Sequence, residues 1–198
     1  MDASKLYHAG NRQLQDAFGS RKLADRLEQV TFREAFTESD REFIEGAGFF
    51  FLATADPDGR PDCSFKGGLP GFVAVTGPSE IAFADYDGNG MFKSLGNLLV
   101  NPWVGLLFIA MGEKPRRLRV NGTAAVLRDD PDLVRFPGGQ LLVRVAARAI
   151  FPNCPRYIPG TGGASPYAPR PGVSPVEPAW KGFDDLRDVV PPRAPTRA

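Results

Sequence analysis

The sequence predicts a mainly β protein, an antiparallel barrel with helices before it and an extended arm after it. Between residues 49 and 151 apolar side chains recur with period two in about seven short runs, the pattern of half-buried strands. One short helical stretch, 91–100, is the main interruption, so neighbouring strands should be joined by turns and pair antiparallel, not through parallel crossovers. From Pro155 onward prolines and glycines crowd together and can sustain neither a sheet ladder nor a long helix. The expected organisation is a helical arm over 1–47, a barrel domain over 48–158, and a proline- and glycine-rich arm over 159–198 that packs on the barrel or on a second subunit.

Local chemistry justifies the elements in turn. Over residues 11–29, Leu14, Phe18, Leu23 and Leu27 recur among charged neighbours, a spacing that suits one or two short amphipathic helices broken near Gly19. Ser39, Asp40, Arg41 and Glu42 have capping-box spacing, in which the serine hydroxyl and the glutamate carboxylate each satisfy a free backbone N–H. A short helix should start there and end by 46–48. Phe49 to Ala55 reads as a strand, Asp56-Pro57-Asp58-Gly59 as a tight turn, and 61–66 as the returning strand of a hairpin. A second hairpin is expected from 71–75 and 80–85 around Gly77-Pro78-Ser79. The helix over 91–100 should turn Phe92, Leu95 and Leu99 inward, place Lys93, Ser94 and Asn97 on its other side, and stop at Asn101-Pro102. Three strands complete the set: 103–111, then 117–127 with Leu118, Val120, Ala124 and Val126 on one face, then 141–151 with Val143, Val145, Ala147 and Ala149 alternating. Beyond them Trp180, Phe183, Leu186, Val189 and Val190 are too apolar for a free linker.

Composition narrows the chemistry. The chain has 198 residues, 42% of them hydrophobic, which is enough for one core. Lys and Arg number 24 against 23 Asp and Glu, so the formal net charge is +1 and neither nucleic acid nor an anionic membrane is expected as a partner. The longest apolar runs are strand-sized, far short of the roughly 20 residues of a membrane-spanning helix, and no signal-peptide core opens the sequence, so a cytoplasmic protein is expected. Cys63 and Cys154 stand far apart and suggest neither a disulfide framework nor a metal site. The one histidine, His8, lies in a polar stretch, which argues against a Ser-His-Asp or Cys-His hydrolase and against a zinc enzyme. With so few groups titrating near neutral pH, any chemistry is expected to arrive as a bound cofactor.

The informative stretch runs from Phe83 to Pro102 and reads strand, glycine-rich turn, helix. Asp87-Gly88-Asn89-Gly90 leads into the helix, whose free N–H groups and partial positive charge attract phosphate. Lys93 adds a full charge and Ser94 a hydroxyl donor. Taken alone, the same residues are also compatible with a surface turn beside a solvated lysine.

Six linked motifs extend the reading. Phe49-Phe50-Phe51-Leu52-Ala53-Thr54-Ala55 with Asp58-Gly59-Arg60-Pro61, Ser64-Phe65-Lys66-Gly67-Gly68, Pro70-Gly71-Phe72-Val73, Gly88-Asn89-Gly90 with Ser94-Leu95-Gly96-Asn97, Asn101-Pro102-Trp103-Val104-Gly105-Leu106-Leu107-Phe108 with Leu118-Arg119-Val120-Asn121-Gly122, and Asn153-Cys154-Pro155-Arg156-Tyr157-Ile158 follow one another in order. In this order the chain resembles the flavin-nucleotide-binding branch of the pyridoxamine 5'-phosphate oxidase-like superfamily, from about Tyr7 to Ile158 with a weaker echo over 180–191. The resemblance implies a split β-barrel and a homodimer with one FMN at each end of the subunit interface. By position it implies that Ser64, Phe65 and Lys66 line the flavin and that Asp85 and Tyr86 stand beside the ring or ribityl chain. It places Asn89, Gly90, Lys93, Ser94 and Asn97 at phosphate and ribityl, and makes Arg156 a contact from the other subunit.

The chain also departs from the name-giving oxidase. Lys93-Ser94 stands where that enzyme resembles an Arg-Lys pair, one charge fewer, and the tail after Pro155 holds no histidine, so oxidation of pyridoxamine phosphate is not expected. The expected function is an FMN-dependent oxidoreductase acting on a small substrate, with no side chain assignable as general acid or base. The alternative is a non-catalytic flavin or haem carrier or sensor whose pocket is filled by the C-terminal arm. A third possibility, a member that has lost its ligand, is opposed by the survival of Lys93, Ser94 and Asn97 together.

Overall fold

Aromatic and β-branched residues in alternation build the sheet. The computed structural model describes residues 4–159, 165, 167 and 176–191. Among them seven strands, β1 (Phe49–Ala55), β2 (Pro61–Gly67), β3 (Val73–Gly77), β4 (Glu80–Tyr86), β5 (Trp103–Ala110), β6 (Arg116–Leu127) and β7 (Gly139–Pro152), form one antiparallel sheet. Its order is β2-β1-β5-β6-β7-β4-β3, so hydrogen bonding leaves β2 and β3 as edges. Three strands separate β1 from β4, yet the ring of Phe50 on β1 lies 5.0 Å from that of Phe83 on β4 and 5.1 Å from that of Phe108 on β5. Such contacts require the sheet to curl on itself around an aromatic centre, which is the split barrel expected from the sequence.

The strands match the expected periodicity, with three informative departures. β3 begins at Val73 and not at 71, because Gly71 takes a left-handed φ of 92° and Phe72 leaves the loop to stack on Phe50, 5.8 Å away. Between β6 and β7 the register slips, with Asn121 opposite Ala149 but Gly122 opposite Ala147, so Arg148 is the extra residue of a bulge. Beyond that bulge the buried set Val143, Val145, Ala147 continues at Ile150, not at the expected Ala149. Gly122 permits the close approach, since a Cβ there would stand 2.1 Å from the carbonyl oxygen of Ala146.

Helix α3 (Glu38–Glu45) corrects the expected cap. Thr37, not Ser39, is the N-cap: its Oγ1 accepts from Asp40 N–H at 3.1 Å, and Asp40 Oδ2 accepts from Thr37 N–H at 3.1 Å. The cause is tertiary, because Asp40 is buried and held by Arg33 at 2.8 Å, which fixes the carboxylate that closes the box.

Helix α4 (Lys93–Leu98) is shorter than the expected 91–100 and rotated. Phe92 precedes it in the left-handed region at φ 46°, which a right-handed helix cannot continue, and Asn101-Pro102 closes the other end. Ser94, Leu95, Asn97 and Leu98 are buried, whereas Phe92 and Leu99, expected inside, are exposed.

The chain falls into two compact units, Arg33–Pro155, which holds the sheet, and Met1–Phe32 with Arg156–Ala198. The second unit contains α1 (Ala9–Ala17) and α2 (Arg21–Thr31), broken at Gly19 with φ 63° as the sequence implies. Arg26 of α2 donates to the carbonyl of Asp185 at 2.8 Å, tying 176–191 to the helices. Most prolines of the tail lie outside the described residues. Among the described residues no helix is long and apolar enough to cross a membrane.

Candidate functional site

The inner side of β2 is polar where a core strand would be apolar. Asp62, Ser64 and Lys66 are partly buried while Cys63 and Phe65 between them are exposed, so period two turns a carboxylate, a hydroxyl and an ammonium inward. Ser64 and Lys66 border a cavity of about 410 Å³ within the sheet unit. Its walls are Ser64, Phe65 and Lys66 of β2, Asp85 and Tyr86 at the end of β4, the turn from Asp87 to Gly90, the start of α4, and Gln140 of β7. Segments far apart in sequence therefore meet here.

Polar contacts organise the walls. Lys66 Nζ and Asp85 Oδ1 pair at 3.3 Å, linking edge strand β2 to β4. Ser94 Oγ lies 3.0 Å from Asp62 Oδ2 and 2.9 Å from Ser64 Oγ. In the glycine-rich turn Asn89 Oδ1 accepts from Met91 N–H at 3.0 Å, and Gly90 adopts φ 72° with open space where a Cβ would stand. Lys93 is exposed, and its charge reaches the β1–β2 turn. Asp56 there has its carboxyl held below the usual range mainly by the Arg60 backbone N–H, with a smaller contribution from Lys93.

Nine of the residues proposed from sequence, Ser64, Phe65, Lys66, Asp85, Tyr86, Asn89, Gly90, Lys93 and Ser94, line this cavity. Two do not. Asn97 is buried beneath α4 and donates through Nδ2 to Thr54 Oγ1 at 3.0 Å, so it anchors the helix on β1. Arg156 belongs to the unit with α1 and α2, where its guanidinium lies over the ring of Tyr157 at 5.1 Å. Gln140 of the cavity wall was missed, and so was Asp62, which meets the wall residue Ser94. The alternation of β2 was the available signal for Asp62, whereas Gln140 reaches the cavity only because β4 pairs with β7, Tyr86 opposite Gly139.

A flavin nucleotide needs a planar apolar slot, hydrogen-bonding walls and a cation for phosphate. The cavity volume, the rings of Phe65, Tyr86 and Phe92, the hydroxyl and amide groups, and Lys93 together suit that donor set.

No curated protein matches the chain. Among solved structures it is similar to HupZ of Group A Streptococcus, with 16% identity, TM-score 0.48, and coverage of 66% of this chain and 98% of that one. An FMN-binding protein from Syntrophomonas wolfei matches with 15% identity, TM-score 0.46, and coverage of 73% and 95%. HutZ, the haem storage protein of Vibrio cholerae, matches with 17% identity, TM-score 0.39, and coverage of 59% and 89%. The family model described as pyridoxamine 5'-phosphate oxidase matches residues 36–161, a span that takes in all seven strands and the whole cavity wall, and the chain belongs to that family.

Proposed function

We propose that this chain is an FMN-binding protein that acts, as a homodimer, in an oxidoreductase reaction on a small substrate. The observation that carries this reading is the cavity itself, in which nine residues from three separated stretches of sequence bring aromatic walls, hydroxyls and cations together. FMN, when bound, supplies hydride transfer. The chain's own groups do the rest. Lys93 offers a full positive charge for phosphate beside the backbone of the glycine-rich turn, Lys66 is held toward the cavity by Asp85, and Tyr86 and Phe92 restrict water. The dimer is supported by Phe65, 63% exposed on an edge strand and stacked on Phe49 at 5.4 Å, an apolar surface left without cover in one chain.

A second reading, a flavin carrier or sensor without turnover, is favoured by the scarcity of proton-transfer groups. The only histidine, His8, is engaged as the N-cap of α1, accepting from Gly10 N–H at 3.1 Å.

The test begins with the absorbance of the purified protein, where a flavin spectrum that bleaches with reductant is expected and a Soret band would redirect the reading to haem. FMN titration by fluorescence quenching should then show Lys93→Ala weakening FMN about tenfold while riboflavin is little changed. Unchanged FMN affinity would remove Lys93 from the phosphate site. Oxidation of NADH or NADPH separates enzyme from carrier, and a monomer on gel filtration would count against the shared interface.

A further inference from the structure

The polar wall of the cavity has a direction. Ser94 is 5% exposed, and its hydroxyl touches both Asp62 and Ser64, at 3.0 and 2.9 Å. A serine owns one hydroxyl proton, and an ionised carboxylate can only accept, so Ser94 donates to Asp62. The contact with Ser64 is then carried by the Ser64 proton. Both protons run toward Asp62, and the two serines turn lone pairs to the cavity. A phosphate oxygen, itself an acceptor, gains no hydrogen bond from such a wall and meets a carboxylate one hydroxyl away. A hydroxyl gains one.

We infer that Asp62 sets the hydrogen-bond polarity of this wall, and that Ser64 and Ser94 take the hydroxyl-bearing chain of the ligand and not its phosphate. The inference deepens the flavin reading, on which the identity of that polyol as ribityl rests. It makes Asp62 a specificity-determining positioning residue that acts through Ser94, and it leaves the phosphate to Lys93 and the glycine-rich turn. Sequence position had put Ser94 at phosphate and ribityl, and the helix start had made it a donor to phosphate; the partner of its hydroxyl assigns it to the polyol.

Asp62→Asn tests this, because the amide can donate to Ser94 Oγ, reverse the chain and remove the charge. FMN and riboflavin affinities are measured by fluorescence quenching for wild type and variant. The ratio of FMN to riboflavin affinity should rise about tenfold in Asp62→Asn. Inorganic phosphate, against chloride at matched ionic strength, should raise the melting temperature of the variant by more than that of the wild type, since both keep Lys93 and only the variant adds a donating wall. Ser94→Ala provides a second arm, in which FMN and riboflavin should weaken by the same factor. A loss confined to FMN in Ser94→Ala, or an Asp62→Asn ratio within about twofold of wild type, would overturn the inference while leaving flavin binding intact. Absence of any flavin affinity in the wild type would overturn the functional reading instead, and the phosphate comparison would still decide the polarity of the wall.

Discussion

Arg144 joins three carboxylates of the sheet unit through one guanidinium. From β7 its Nε and Nη2 donate to the two oxygens of Asp130, each at 2.7 Å; Nη2 also meets Asp132 at 2.8 Å, and Nη1 meets Glu80 at 2.9 Å. Those hydrogen bonds push the guanidinium further up, and the same bond from Arg144 holds the carboxyl of Asp130 below its ordinary value of 3.8. A carboxylate depressed by folding contributes stability that is full above the unfolded pKa and is lost as pH falls through the folded one. Arg144→Met should therefore melt below wild type at pH 7, and the gap should narrow as pH drops below about 4. Thermal melts from pH 7 to pH 2 decide this, and a gap constant to the acid end would show that the fork contributes packing only. Nothing in the local sequence announced this residue, since an arginine in an alternating strand ordinarily reads as a solvent-facing one.

At the scale of elements, the bulge between β6 and β7 is the feature with most consequence. It places Arg148 outside the ladder, over the ring of Trp103 at 5.1 Å, and shifts the buried phase to Ile150. Gly122→Ala should cost roughly 1–3 kcal/mol or more, the scale of overpacking, because the clash is with backbone that cannot turn aside. A urea midpoint equal to wild type would mean that the bulge relaxes more easily than its register implies. Strand positions were legible to within a residue or two, because alternation and turn residues act locally. The rotation of α4 was not. Ser94 and Asn97 look like surface positions on a helical stripe, but their hydrogen bonds to Asp62, Ser64 and Thr54 stabilise them inside and turn Phe92 and Leu99 out.

For the sheet unit as a whole, the Lys66–Asp85 pair stands where hydrogen bonding leaves the barrel open. Its side chains are 20% and 13% exposed, sheltered enough for each to depend on the other. Lys66→Met or Asp85→Leu alone should cost about 1–3 kcal/mol by stranding a half-buried charge, and the double variant should recover part of that loss. Urea unfolding of the four proteins measures the coupling, and strictly additive effects would show that the pair does not act as a closure.

Read without a structure, the sequence determined the strand set, the turns, the glycine-rich approach to α4 and the expectation of imported chemistry from a chain with one histidine. These rest on dihedral preference, side-chain alternation and composition, all of which act within a few residues or need no geometry. Only the tertiary structure decided that Gln140 faces the cavity, that Asn97 anchors a helix, that Arg156 lies with α1 and α2, and that the Ser94 hydroxyl meets the Asp62 carboxylate. The physical reason is that strand order and helix rotation are set by pairings such as β1 with β5 and β4 with β7, which join residues distant along the chain. A hydrogen bond acquires its direction only when both partners are in place.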